Sequence, residues 1–245
     1  MDLNADLGEG AGTDSGLLAL VTSANVACGA HAGSEATMRD TVRLARDASV
    51  AVGAHPGYPD REGFGRREVG ATPEDIELWT REQIETLLGI CDAEHAELRY
   101  VKPHGAMYNR AVRDSAAAAA IAAATYAVNP TLMMLGPAGS ALLNEAASAG
   151  LRTAAEAFLD RNYTDDGTLL PRGHPDALLT DPAVAAERAL LLARGEPISS
   201  ADGQPLLITA DSLCVHSDSP TAVAIATAAH SRLRAEGIPL APFAR

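Results

Sequence analysis

The sequence predicts an α/β protein whose seven strand–helix units close into a parallel barrel. Three observations carry that prediction. Short apolar runs alternate with helical segments along all 245 residues. Capping residues, often followed by proline, mark the helix starts. Four histidines each follow a short apolar run and sit in a small-residue turn: His31 in SANVACGAHAG, His55 in VAVGAHPG, His104 in LRYVKPHG and His216 in LLITADSLCVHSD. Strands separated by helices pair in parallel through crossovers. The carboxyl ends of parallel strands are where ligands and catalytic groups gather. Seven units also fit an open doubly wound sheet, whose loops meet at one switch point. Polar endings on nearly every strand favour the closed ring, because a ring brings all its loops to one axis.

Taken in order, the strand-like runs are 1–5, 22–28, 49–54, 98–103, 131–136, 151–156 and 205–210. Ser34 caps a helix that runs to about Ala48. Thr72-Pro73-Glu74-Asp75 reads as a capping box with proline at the first helical position, opening a helix to about Glu94. Asp114 opens an alanine-rich helix over 115–127. Asp181-Pro182 and Ser219-Pro220 repeat the cap-plus-proline signature. Gly150 and Gly237 close their helices. Residues 1–245 read as a single barrel domain with an irregular excursion around 157–180.

Aromatic residues are only 4% of the chain, so the core falls to Ala, Val, Leu and Ile. At this length about 70–75% of the unfolded surface can be buried, so the core needs no staples. The formal net charge is −13 with no basic stripe, which argues against nucleic acid and against an anionic membrane. Cys28, Cys91 and Cys214 are far apart and form no C-x-x-C. They point to a reducing compartment without disulfides or a structural zinc cage. Cys91 reads as core. Cys28 and Cys214, at strand ends, read as packing thiols, with a nucleophile as the other reading. The chain opens directly on a strand, and no apolar run of about 18 residues exists, so a cytoplasmic protein is expected.

The strand ends hold the chemistry. Asp6 and Glu9 flank Gly8 and can bind a metal or act as general base. His31 and His55 lie beside glycines, which allow close approach of a ligand. With Asp6 they supply the ligand types of a metal-hydrolase site, although no H-x-x-H spacing exists. Lys102 sits on an apolar strand end before His104, where burial is costly without a partner. Arg66 and Arg67 end a glycine-interrupted loop that can clamp a carboxylate or phosphate. Glu156, Asp160, Arg161 and Tyr163 follow the sixth strand. His216 with Asp218 reads as a base and its orienter. There is no G-x-x-x-x-G-K-[ST], no strand-borne G-x-G-x-x-G and no G-x-S-x-G.

The blocks DLNADLGEG, SANVACGAHAG, GAHPGYPDREGFGRR, VKPHGAMYN, EAFLDRNY and CVHSDSP fall in this order along nearly the whole chain. The chain thereby resembles the LamB/YcsF family, the A subunits of prokaryotic ATP-dependent 5-oxoprolinase. The resemblance implies a seven-stranded (β/α) barrel of the glycoside hydrolase/deacetylase type. It implies cleavage of 5-oxo-L-proline to L-glutamate, with ATP as co-substrate through a complex with subunits B and C. It marks Asp6, Glu9, His31, His55, Lys102, His104, Glu156, His216 and Asp218 as site residues. Of these, Asp6, His55, Lys102 and His104 are expected to be catalytic. Glu9, His31, Glu156, His216 and Asp218, with Arg66 and Arg67, are expected to bind substrate. A divalent metal is left open, with Asp6, His31 and His55 as its ligands. Three residues depart from the family's usual pattern: Ala5 for Cys, Ala30 for Phe and Ser217 for Gly. Two other readings remain: a stand-alone metal-dependent deacetylase or amidohydrolase, and a non-catalytic subunit that presents substrate.

Overall fold

A computed structural model describes residues 1–244. Seven parallel strands form a closed barrel: β1 (Asp2–Leu7), β2 (Ser23–Ala27), β3 (Ala51–His55), β4 (Leu98–Val101), β5 (Met133–Pro137), β6 (Arg152–Phe158) and β9 (Ser212–Val215). The ring closes where β9 pairs with both neighbours: Ser212 lies opposite Asp2 of β1 and opposite Glu156 of β6. The predicted ring is therefore found and the open sheet is not.

Around it run α1 (Asp14–Leu18), α2 (Glu35–Asp47), α3 (Pro73–Ala93), α4 (Gly105–Ala111), α5 (Ser115–Val128), α6 (Ala141–Ser148), α7 (Pro182–Arg194) and α8 (Ala222–Ala235). Local chemistry explains most starts. Ser34 accepts from Thr37, Thr72 and Asp75 form a reciprocal capping box, and Asp114 and Asp181 each accept two backbone N–H groups. Ser219 departs from its expected role: α8 starts later, with Thr221 at the cap and no side-chain cap bond. Among the described residues, no helix is long and apolar enough to cross a membrane.

The seventh strand also differs from the expectation of 205–210. Pro205–Leu206 (β8) instead pairs antiparallel with Ile198–Ser199 (β7) in a small hairpin, leaving Leu207 73% exposed. The barrel takes the shorter SLCV run because it offers Ser212 and Cys214 to the lumen and Leu213 and Val215 to the helices. The excursion after β6 is ordered by two arginines. Arg161 donates to the carbonyls of Ala177 and Leu170, and Arg188 donates to the carbonyl of Arg161 and to Asn162 Oδ1.

The period of two along each strand separates two environments. Leu3, Ala5 and Leu7 face the shell between barrel and helices. Asp2, Asn4 and Asp6 face the lumen, where their polar groups are satisfied across strands. The lower lumen is itself divided. Ala51, Tyr100, Met133, Leu135 and Ala154 pack against Ala244 and Phe243 of the C-terminal tail. The β9–β1–β2 side carries Ser212, Asp2, Asn4, Ser23 and Asn25. Asp2 takes hydroxyl donors from Ser212, Thr22 and Ser23, yet burial outweighs them and pushes its carboxyl up to about 6.

Tyr100 joins the two halves. Its ring crosses Gly53 of β3 to donate 2.7 Å from its hydroxyl to Asn25 Oδ1 on β2. A Cβ on Gly53 would lie 2.2 Å from that ring, so only glycine lets it pass. Gly53→Ala is expected to displace Tyr100, leave Asn25 short of a donor and cost about 3 kcal/mol. Denaturant unfolding reads the loss.

Candidate functional site

The carboxyl ends of the strands bring the predicted residues into two adjoining groups. The first is built on Lys102, just past β4. Its ammonium is buried, 3.2 Å from Asp6 Oδ1, 3.0 Å from Glu156 Oε2, 3.0 Å from Cys214 Sγ and 3.4 Å from Asn4 Oδ1. Tyr108 of α4 donates to Glu156 Oε1 at 2.8 Å, and Asn25 donates to Asp6 Oδ1 at 2.8 Å. Burial opposes the charge on Lys102, but Asp6 and Glu156, with the Cys214 sulfur as a hydrogen-bond acceptor, outweigh it and hold the ammonium well above its ordinary value. Burial likewise opposes ionisation of Asp6. Lys102, His55 and His216 outweigh it and keep the carboxyl well below the usual carboxylate range. Lys102 is thus a compensated cation in the lumen. Asp6 and Glu156 are the partners that its burial requires.

His216 completes this group. Its Nδ1 lies 3.0 Å from Asp160 Oδ1, and its backbone N–H donates to Asp160 Oδ2 at 2.9 Å. Asp160 can only accept, so Nδ1 carries the hydrogen and Nε2 faces Asp6 Oδ2 at 3.9 Å. The Phe158 ring stacks on the imidazole. Asp160 is therefore the orienter expected in Asp218. Asp218 instead pairs with Arg66 at 2.6 Å and Arg172 at 3.5 Å on the rim. Arg67 does not reach the site: it is held by Asp60 within its own loop and is 60% exposed.

The second group comprises Glu9, His31, His55 and His104. His55 Nε2 and His104 Nδ1 are 3.0 Å apart, and Glu9 Oε1 lies 3.4 Å from His31 Nε2 and 3.5 Å from His104 Nδ1. Burial, with His31 and His55 nearby, holds His104 well below the ordinary histidine value. For His55, burial acts the same way but Asp6 outweighs it and raises the value. The loop that covers this group fits tightly. Gly65 and Gly105 have φ of +65° and +56°, and a Cβ on Gly105 would lie 2.5 Å from the Gly65 carbonyl oxygen. The expected metal trio Asp6, His31 and His55 is thus divided. Metal-ligand spacing joins Glu9, His31, His55 and His104, and separately Asp6, Cys214 and His216.

The LamB/YcsF family model matches residues 1–245. This chain belongs to the LamB/YcsF family. It is 49% identical over 247 residues to the 5-oxoprolinase A subunit of Methylococcus capsulatus, covering 98% of this chain and 95% of that protein. It is 47% identical over 243 residues to the 5-oxoprolinase A subunit of Chloroflexus aggregans, covering 97% of this chain and 96% of that one. In fold it resembles the crystal structure of the lactam utilization protein from Thermus thermophilus, with a TM-score of 0.93, 43% identity and 99% of each chain covered.

Asp160 is noted after the sixth strand but not as the partner of His216, and Tyr108, Asn4 and Asn25 are not among the residues that the sequence marks for the site. The Asp2-x-Asn4-x-Asp6 and Ser23-x-Asn25 spacings, period two within apolar strands, are the signal that finds the last two. The three departures from the family pattern are not alike. Ser217 does more than pack: its hydroxyl donates to Glu9 Oε2 at 3.0 Å. Ala30 is half-buried in the turn before His31. Ala5 is fully buried on the helix-facing side of β1, away from Asp6. The Cys214 thiol is pushed well up by burial, and Cys28 and Cys91 are pushed up to about 12, so none is a ready nucleophile.

Two outcomes are expected. Ala5→Cys changes turnover less than twofold in a kinetic assay, because the added sulfur enters the outer shell. Lys102→Ala leaves Asp6 and Glu156 buried without their cation and costs about 3–5 kcal/mol in unfolding experiments.

Proposed function

We propose that this chain is the A subunit of a cytoplasmic ATP-dependent 5-oxoprolinase. With subunits B and C it cleaves 5-oxo-L-proline to L-glutamate as ATP becomes ADP and phosphate. The observation that carries this reading is the 47–49% identity, over nearly the full length, to relatives named as 5-oxoprolinase A subunits. A strand-end cluster of polar side chains with an oriented base supports it.

A five-membered lactam is a stable amide, so its opening needs a driving force. Transfer of the γ-phosphoryl group to the lactam oxygen releases ADP and makes the ring carbon electrophilic. Water adds there, the C–N bond breaks as nitrogen takes a proton, and a second water releases phosphate from the acyl phosphate. Phosphorylation is assigned, in whole or in part, to the partner subunits, since this chain carries no P-loop. Within the pocket, His216 Nε2 takes the proton of the attacking water. Asp160 holds the required tautomer and stabilises the imidazolium. Asp6, kept ionised by Lys102, faces the same space. Arg66 and Arg172 on the rim meet the substrate carboxylate or the phosphoryl group.

The test is glutamate formation by the chain with and without B and C, varying 5-oxoproline and ATP independently. Glutamate is expected only with all three subunits and ATP. Asp160→Asn is expected to lower kcat about a hundredfold or more without changing the melting temperature, since it removes the partner that sets the His216 tautomer. Lactam or amide hydrolysis by the chain alone, without ATP, overturns the reading. Full activity of Asp160→Asn overturns the role of His216.

A further inference from the structure

The histidine group beside the lactam pocket has a hydrogen-bond pattern that its own side chains do not complete. His55 Nδ1 lies 2.7 Å from the Lys102 carbonyl oxygen, and His104 Nε2 lies 2.8 Å from the Phe64 carbonyl oxygen. A carbonyl only accepts, so each of these nitrogens carries the hydrogen. With both rings neutral, as metal ligation requires, the opposite nitrogens, His55 Nε2 and His104 Nδ1, present lone pairs to one another at 3.0 Å. Glu9 Oε1 and both nitrogens of His31 are buried with no hydrogen-bond partner. Ser217 occupies the other Glu9 oxygen and leaves Oε1 to the histidines. Three acceptors, His55 Nε2, His104 Nδ1 and Glu9 Oε1, thus converge away from water, and the unheld His31 ring can turn a fourth lone pair to them; such a group calls for an electrophile.

We propose that Glu9, His31, His55 and His104 bind one divalent transition-metal ion of the zinc or cobalt class. Metal–ligand bonds of about 2.1 Å place the atoms of a tetrahedral shell about 3.4 Å apart. The observed separations are 3.0, 3.4 and 3.5 Å. Three imidazoles and one carboxylate suit zinc, cobalt or nickel, whereas magnesium and calcium take oxygen shells. The two carbonyl-bonded histidines have the outer partners that fix a ligand's ring and tautomer. His31 is stacked on His104 at 3.8 Å with a 3° angle between planes, so one ring turns for both lone pairs to meet the ion. His31 is the one with neither nitrogen held. The ligands come from the ends of β1, β2, β3 and β4, so the ion ties four strand-end loops together. It adjoins the Asp6, Cys214 and His216 group at the 3.5 Å contact of His55 with Asp6 but uses other ligands, and the site goes beyond the lactam reading.

The test measures metal without turnover, so its failure leaves the lactam reading standing. Chelator-stripped chain is titrated with Co²⁺, Zn²⁺ and Mg²⁺ by calorimetry, with visible absorption for Co²⁺ and metal content after gel filtration. One Co²⁺ or Zn²⁺ per chain is expected, with a tetrahedral Co²⁺ spectrum and no response to Mg²⁺. At about a hundredfold excess over Kd, the melting temperature rises by about 5–10 °C. His31→Ala, checked for folding by circular dichroism, abolishes tight binding. Glu9→Gln weakens it about tenfold or more. His216→Asn leaves stoichiometry and spectrum unchanged. Absence of saturable binding to the folded parent overturns the proposal. So does binding that survives His31→Ala and is lost in His216→Asn.

Discussion

A lysine ammonium in the lumen of a barrel is the constraint on which the rest of this structure depends. Removing that charge from water costs several kcal/mol even after relaxation. Lys102 is compensated by Asp6 from β1, Glu156 from β6, and Cys214 from β9, so its partners come from three strands besides its own end of β4. Those partners need partners in turn. Asn25 donates to Asp6 and Asn4, Tyr100 donates to Asn25, and Tyr108 donates to Glu156. Such a network favours a single register. A one-residue slip of β1 would carry Asn4 and Asp6 into the apolar shell and Leu3 and Leu7 into the lumen. The ion pairs are weak evidence for stability, but they are strong discrimination against the wrong alignment.

The division of the lumen follows from that requirement. A lumen lined with polar groups on every strand would have to satisfy all of them. Here the β3–β6 side, below the charged layer, is closed with Tyr100, Met133, Leu135 and the tail residue Phe243. The polar atoms are concentrated on β9, β1 and β2, where neighbouring strands supply complementary donors and acceptors. Tyr100 serves both halves, with its ring in the apolar side and its hydroxyl on Asn25. The absence of a Cβ at Gly53 therefore bears on the orientation of Asp6, two hydrogen bonds away.

Local signals make much of the architecture legible. Helix starts at Ser34, Thr72, Asp114 and Asp181 are readable because each cap is satisfied within three residues along the chain. The LamB/YcsF blocks and the strand-end histidines mark residues that the fold brings together at the carboxyl ends of the strands. The seventh strand is misplaced by its sequence pattern because PLLIT is the more apolar run, while ring closure selects SLCV through Ser212 opposite Asp2. Partners distant in sequence are not readable. Asp160 lies 56 residues before His216, whereas the nearer Asp218 looks like the natural orienter. Arg66 and Arg67 are chemically alike and adjacent. Only the fold shows that one reaches the rim and the other clips Asp60.

The two groups at the barrel mouth are separate in chemistry but joined through Lys102. Its ammonium holds Asp6 toward the His216 side. Its carbonyl oxygen fixes the His55 tautomer and thereby points His55 Nε2 toward Glu9 and His104. His55 Nε2 also lies 3.5 Å from Asp6 Oδ1, so the two groups meet at that contact. The end of β4 therefore sets both geometries at once through its backbone and side chain. A shift of that segment would misdirect an imidazole and a carboxylate together. This explains why Pro103 and Gly105 surround the His104 position. Proline restricts the backbone between the two functional residues. Gly105 lets the covering loop approach closely enough for the Phe64 carbonyl to hold His104. The KPHG turn is thus the common mount of two groups, with Asp6, Glu156 and Cys214 around the Lys102 ammonium on one side and the histidine group on the other.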